Sequence, residues 1–155
     1  MRRKDREITD PQRIRALLLR EKILRVGFYD AGEIYILPLN YGVYEANGRC
    51  TLYVHGAKAG RKYALAKASP KVGFEIEGEY RLIAGETACE HSAAYESIVG
   101  TGRMRIVTDA EEKRRGLQCI MRQATGRSDW TFERAMIDAA AVFAVEVETL
   151  TCKAH

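Results

Sequence analysis

A chain of 155 residues, 46% apolar and 30% charged, has the length of a single domain, 1–155, and enough apolar mass for a core. Its net charge of +4 suits an anionic ligand or nucleic acid without choosing between them, and the two basic runs, Arg2-Arg3-Lys4 and Lys113-Arg114-Arg115, read as solvated faces. No apolar run approaches the ~18 residues of a membrane span, no secretory signal follows the basic start, and Cys50, Cys89, Cys119 and Cys152 are scattered without C-x-x-C, so a cytoplasmic protein with reduced thiols and no metal site is expected.

Residues 1–8 are polar and are expected to form a flexible arm. Asp10-Pro11 reads as a helix start, with Asp10 as N-cap and Pro11 in the first turn; Ile14, Leu17 and Leu18 give that helix an apolar stripe. From Ile23 the period becomes two: Leu24, Val26 and Phe28 alternate with Arg25, Gly27 and Tyr29, a strand that turns at 30–32. The partner strand, 34–43, places Tyr35, Leu37 and Leu39 on one side and Ile34, Ile36 and Pro38 on the other. Pro38 cannot donate to a ladder, so it marks an edge, a bulge or a place where something other than a strand lies alongside. Asn47-Gly48 is the strongest hairpin signal and leads into a strand over 50–55.

Residues 60–68 read as a short helix stopped by Ser69-Pro70, and 72–76 as a half-buried strand. Residues 78–93 carry little pattern. The extended run 95–107 contains Gly100 and Gly102, which implies a bend or a close approach to the backbone. Thr108 or Asp109 caps a second long helix whose predicted buried stripe is Leu117, Ile120, Met121 and Ala124, ended by Gly126. Residues 127–138, with Trp130, look irregular. The last strand, 141–151, is expected to turn Phe143, Val145 and Val147 inward and Ala144, Glu146 and Glu148 outward. About six mainly antiparallel, curved strands in a chain of this length close most easily into a small barrel with flanking helices.

The stretch Leu52-Tyr53-Val54-His55-Gly56-Ala57-Lys58-Ala59-Gly60-Arg61-Lys62 runs from strand through a glycine-bounded turn to a helix start. Exposed backbone N–H groups and two cations make it a candidate phosphate clamp; a solvated turn is the competing reading. It is not a Walker A loop, because the spacing is wrong and no Ser or Thr follows Lys62 to hold magnesium. His55, at the strand end, titrates near neutrality; His91 and His155 do not form metal-ligand spacing with it. No G-x-S-x-G supports a hydrolase.

Taken together, Tyr35-x-x-Pro38-Leu39-Asn40-Tyr41, Leu52-Tyr53-x-His55-Gly56-x3-Gly60-Arg61-Lys62, Val72-x-Phe74-Glu75, Tyr95-x-Ser97-x3-Gly100-x-Gly102 and Glu111-Glu112-Lys113 resemble the pyridoxamine-phosphate-oxidase-like flavoproteins, in their nitroimidazole-resistance branch. The resemblance covers roughly residues 8–150. It implies a six-stranded antiparallel split β-barrel, homodimeric, with FMN between the subunits. By that resemblance Arg61 and Lys62 grip the FMN phosphate with the backbone of Gly56, Ala57 and Gly60. Pro38, Leu39, Asn40 and Tyr41 line the flavin ring, and His55 lies beside it as the catalytic candidate. Ser97 and Val99 come from the other protomer, and the glycines of their strand admit the cofactor. Trp130 is assigned to the substrate side by position alone. The implied activity is electron transfer from reduced FMN, fed by NADH or NADPH, to a small oxidised acceptor such as a nitroaromatic. Alternatives are a flavin, heme or deazaflavin carrier without turnover and a basic nucleic-acid-binding barrel. The C-terminal end, Leu150 to His155, offers little beyond Lys153 of the basic residues that the oxidases proper of that family carry for their phosphorylated substrate, which argues against vitamin B6 oxidation.

Overall fold

A computed structural model of the protein describes residues 3–155. Met1 and Arg2, part of the expected arm, lie outside the described residues. The arm is docked from Glu7 onward: β1 (Glu7–Ile8) pairs with the end of the chain, Ile8 opposite Cys152. Then come α1 (Pro11–Arg20), β2 (Ile23–Asp30), β3 (Glu33–Ala46), β4 (Arg49–Gly56) and α2 (Arg61–Ala66). The second half holds β5 (Lys71–Glu77), a small hairpin of β6 (Arg81–Ile83) and β7 (Ser92–Ala94), β8 (Glu96–Ile106), α3 (Ala110–Thr125), α4 (Arg134–Ala139) and β9 (Ala141–Ala154). The hairpin and α4 occupy the two stretches whose sequence carries little pattern.

The local signals explain the joints. Asp10 caps α1 by accepting from the Gln12 N–H, and Asp109 caps α3 by accepting from the Glu112 N–H. Ala31-Gly32 and Asn47-Gly48 both turn with positive φ at each central residue, the geometry that matches strand twist in two-residue hairpins. Gly126 closes α3 in the left-handed region.

Six strands form a ring. β9, β4, β3, β2, β5 and β8 are hydrogen-bonded in that order, all antiparallel, and β8 closes on β9 with a register shift between Thr101 and Gly102. The ring is mainly β with helices packed outside, the expected six-stranded barrel. Its interior is filled by Leu24, Val26, Phe28, Leu52, Val54, Phe74, Ile76, Ile98, Phe143 and Val145, all nearly or wholly buried. The glycines of β8 serve this closure. A methyl at Gly100 would lie 2.3 Å from the Phe74 ring, and one at Gly102 2.4 Å from the Glu146 carbonyl oxygen.

α3 lies across β3 and β4 and builds a second small core from Tyr53, Val107, Cys119, Ile120, Val142 and Ala144. Ala144, expected outward, is therefore fully buried. The fully buried face of α3 is Gly116, Cys119, Ile120 and Gln123; of the predicted stripe Ile120 lies on it, Leu117 packs against its margin, Met121 is half-buried and Ala124 is exposed. The reason is backbone contact. A Cβ at Gly42 would sit 2.2 Å from the Cys119 carbonyl carbon, and one at Gly116 would meet Val142 and Tyr53 at 2.9 and 3.0 Å. Two glycines draw the helix down on a face that hydrophobicity alone does not select. Gln123 is buried because its amide donates to the Leu18 and Glu21 carbonyls at 2.6 and 2.7 Å, groups left open at the end of α1.

Gly42→Ala forces α3 off the barrel. Overpacking of this kind costs about 1–3 kcal/mol, and the expected outcome in denaturant or thermal unfolding is a midpoint several degrees below the parent. An unchanged midpoint contradicts the contact.

Candidate functional site

β3 changes neighbour midway along its length. β2 accompanies residues 33–40, whereas β4 pairs with residues 41–46. Pro38 sits in the half that pairs with β2 alone, opposite Arg25, with its other edge open, where a missing N–H is tolerated. β4 ends at Gly56, the chain turns through exposed residues 57–60, and α2 begins at Arg61. Gly60, at φ 88°, makes the turn. α2 has only six residues, so its dipole contributes little and full charges dominate the corner.

Those charges are arranged unequally. Arg61 is engaged: its guanidinium donates to Asp30 at 2.7 Å and Glu33 at 2.9 Å, and lies 4.7 Å from the centre of the Tyr35 ring. Lys62 folds back over the end of β4. Its Nζ donates to the His55 carbonyl at 3.0 Å and stands 4.8 Å from the Phe143 ring centre. Gly56 permits this, because a Cβ there would come within 2.7 Å of Nζ. Among the described residues Lys62 makes no ion pair, and burial pushes its ammonium down from its ordinary range. Desolvation and then the Lys62 cation lower His55 in turn, so its imidazole is neutral at pH 7. Lys58 ties the turn to α4 through the Asp138 carbonyl.

The structure brings His55, Gly56, Gly60, Arg61 and Lys62 together, with Ala57 exposed in the turn between them. Asn40 is exposed, its amide donating to the Lys22 carbonyl at 3.2 Å, and Leu39 is half-buried. Tyr41 differs from expectation. Its side chain is 1% exposed and its hydroxyl donates to the Leu18 carbonyl at 2.6 Å, so only its backbone is free to meet a ligand. Ser97 and Val99 lie on β8, with β5 and β2 between them and β3. At the usual strand spacing that is about 14 Å from Pro38, so one protomer does not assemble the whole set. Trp130 packs elsewhere, its indole N–H donating to Thr125 at 3.1 Å and Arg127 lying over its ring. Asp30, Glu33 and Phe143 are members of the corner that sequence reasoning missed, and Tyr35, which opens the Pro38 motif, was given no role there; their contacts span the fold.

The corner fits a phosphate monoester in one respect above others. Gly56 leaves room for an unpaired cation, and the turn that follows exposes its backbone. The sequence matches the profile of the family described as Pyridoxamine 5'-phosphate oxidase over residues 10–154. This chain belongs to the pyridoxamine 5'-phosphate oxidase family. A solved structure from Bacteroides thetaiotaomicron, described as a candidate 5-nitroimidazole antibiotic resistance protein, is similar at 30% identity, with 96% of this chain and 86% of that one covered and a TM-score of 0.81. Two more distant structures share the fold. One is an FAD and heme binding protein from Mycobacterium smegmatis (16% identity, 96% and 73% covered, TM-score 0.82). The other is a flavocytochrome from Azotobacter vinelandii (18% identity, 100% and 72% covered, TM-score 0.80). No curated protein matches the sequence. Among the described residues of this family member no group of metal-ligating side chains is clustered, and no helix is long and apolar enough to cross a membrane.

His55 binds a proton less readily in the fold than in the unfolded chain, where the ordinary value is 6.5. Acidification below that value therefore costs stability until the folded midpoint is passed. In an NMR titration the His55 ring is expected to titrate below 6.5, and Lys62→Gln to move the midpoint upward. A midpoint that Lys62→Gln leaves in place contradicts the coupling.

Proposed function

We propose that the protein is an FMN-dependent oxidoreductase that passes electrons from reduced FMN to a small oxidised acceptor of the nitroaromatic kind, with a nicotinamide nucleotide as donor. The observation that carries this reading is Lys62, a half-buried cation without a carboxylate, folded over Gly56 at the end of β4 and next to His55. Bound flavin supplies the redox chemistry, and the protein supplies binding, orientation and electrostatics.

Lys62 offers the phosphate a point charge and Arg61 a bidentate fork. Arg61 is held by Asp30 and Glu33 on an exposed surface, where ion pairs are weak and exchangeable, so a phosphate dianion competes for it. The open edge of β3 from Pro38 to Asn40 offers a backbone wall for a flat ring, with Leu39 partly sheltered behind it. His55, neutral at pH 7, can donate one hydrogen bond and accept another at the acceptor's polar group. Residues 57–61 are exposed, and a corner this open needs a second wall to exclude water.

A second protomer supplies that wall in this reading. The outer face of β3, β2, β5 and β8 carries Ile34, Ile36, Tyr29 and Val99, each more than half exposed. Register places Ile36 beside Gly27, Gly27 beside Gly73, and Glu75 beside Val99. An apolar strip of this kind, flattened by two glycines, is characteristic of an interface. Pairing two copies through it would bring Ser97 and Val99 of one protomer to the corner of the other, the positions that a single chain leaves about three strands apart.

The test is cofactor retention and turnover in the same preparations. Arg61→Ala combined with Lys62→Ala is expected to purify folded and paired but to lose FMN by more than tenfold in affinity, since each charge-assisted contact is worth roughly 1.5–3 kcal/mol. His55→Ala is expected to keep FMN and to slow acceptor reduction by at least about tenfold, within the usual range for a hydrogen-bonding group at a reacting centre. Retention of FMN by the double variant contradicts the clamp; unchanged turnover in His55→Ala contradicts the role of the histidine.

A further inference from the structure

The far end of β4 carries a second concentration of positive charge. Two adjoining clefts of about 440 and 560 Å³ share Tyr44 and Arg115 as walls, between the outer face of α3 and the hairpin at Asn47-Gly48. Volumes of this order suit one small molecule. Arg115 lies over the Tyr44 ring at 4.8 Å, and Tyr44 in turn leans on Tyr53 with ring centres 6.2 Å apart. The floor is rigid. Glu112 accepts two hydrogen bonds from Arg105, at 2.7 and 3.0 Å, and one from the Tyr53 hydroxyl at 2.9 Å.

Four guanidiniums gather around these clefts without a close carboxylate partner among the described residues. Seven arginines of the fold, Arg3, Arg15, Arg20, Arg25, Arg61, Arg105 and Arg127, have a carboxylate at 3.0 Å or less. Among the described residues Arg49 and Arg122 make no ion pair, and Arg114 and Arg115 reach only loose ones, at 3.7 and 3.9 Å, within their own helix. Gln118 adds an independent observation. Its amide N–H donates to the Trp130 carbonyl at 2.8 Å, and among the described residues its Oε1 is buried without a partner, on a side chain that lines the first of the two clefts. A buried acceptor left open is costly. It asks for a donor, which an N–H of an organic ligand supplies.

We propose that this cleft is a second ligand site that takes a nucleotide. The guanidiniums of Arg49, Arg114 and Arg122 receive the phosphates. The base stacks on the guanidinium of Arg115, which Tyr44 backs from the other side, and an N–H of the base satisfies Gln118 Oε1. The site is separate from the flavin corner, since β4 runs from Arg49 at one end to Gly56 at the other, about 20 Å at the rise of a strand. A nucleotide bound here cannot exchange electrons with a flavin held at His55 by contact, so it acts as a modulating ligand.

The experiment is an ADP titration of the full chain, followed by amide NMR, with excess FMN present to fill the corner around Lys62. Perturbations are expected at residues 44–49 and 114–122. Arg49→Ala with Arg114→Ala, both exposed side chains, is expected to weaken ADP binding at least about tenfold while FMN retention stays as in the parent. Pyrophosphate is expected to bind more weakly than ADP. Perturbations confined to residues 55–62, no perturbation at all, unchanged ADP affinity in the double variant, or equal affinity for pyrophosphate and ADP would each overturn the assignment.

Discussion

Lys62 and Gly56 occupy space that a side chain on Gly56 would deny. The strand ends without a Cβ, the lysine folds across it, and its ammonium rests on the carbonyl of His55 with an aromatic ring beneath. Nothing anionic among the described residues answers that charge. The contrast with its neighbour is instructive, because Arg61 is held by two carboxylates at the β2–β3 turn. One cation of the pair is thus kept in place by the protein, and the other is left for a ligand. The same ammonium lowers the proton affinity of His55, so the charge that would hold an anion also sets the state of the residue placed to assist chemistry.

The barrel makes this corner available by stopping early. β4 leaves β3 at Tyr41, and α2 follows the turn that ends β4. Pro38 stands in the stretch with one neighbour. An ordinary closed barrel satisfies every strand edge; here each half of β3 is paired on one side only, and the half that carries Pro38 has its open edge on the side that β4 has left. The exposed strip of Ile34, Ile36, Tyr29 and Val99 gives the open side a route to closure by a second copy. At the opposite end of β4 the packing is different in kind. α3 rests on glycine and small side chains, its arginines face outward over Tyr44, and the charge is again unanswered.

Much of the fold was legible because its signals are local. Alternation fixed β2, β5 and β9, Asn47-Gly48 fixed a hairpin, and Asp10 and Asp109 marked helix starts by the chemistry of capping. What was not legible depends on contacts between distant segments. The buried face of α3 follows Gly42 and Gly116 rather than Leu117 and Met121, since backbone approach outweighed the volume of the side chains. Ala144 is inside because α3 covers it. The glycines of β8 reflect the closure of the barrel around Phe74, although the sequence resemblance attached them to a cofactor. At the site, the turn His55 to Lys62 stood out in one dimension, whereas the pairing of Arg61 with Asp30 and Glu33, 31 and 28 residues away, exists only in three. Tyr41 read as a lining residue because its neighbours do; the alternation of β3 sends its ring into the core.

The central claim is that this family member holds FMN, and the pigment of the purified protein tests it most directly. The absorption spectrum of the native protein, followed by release of the chromophore and its mass, identifies the group without reference to any reaction. The account predicts flavin bands and the mass of FMN, at about one per chain given one corner per protomer. A heme spectrum, a flavin lacking the terminal phosphate, or a protein that stays colourless after incubation with FMN would contradict it.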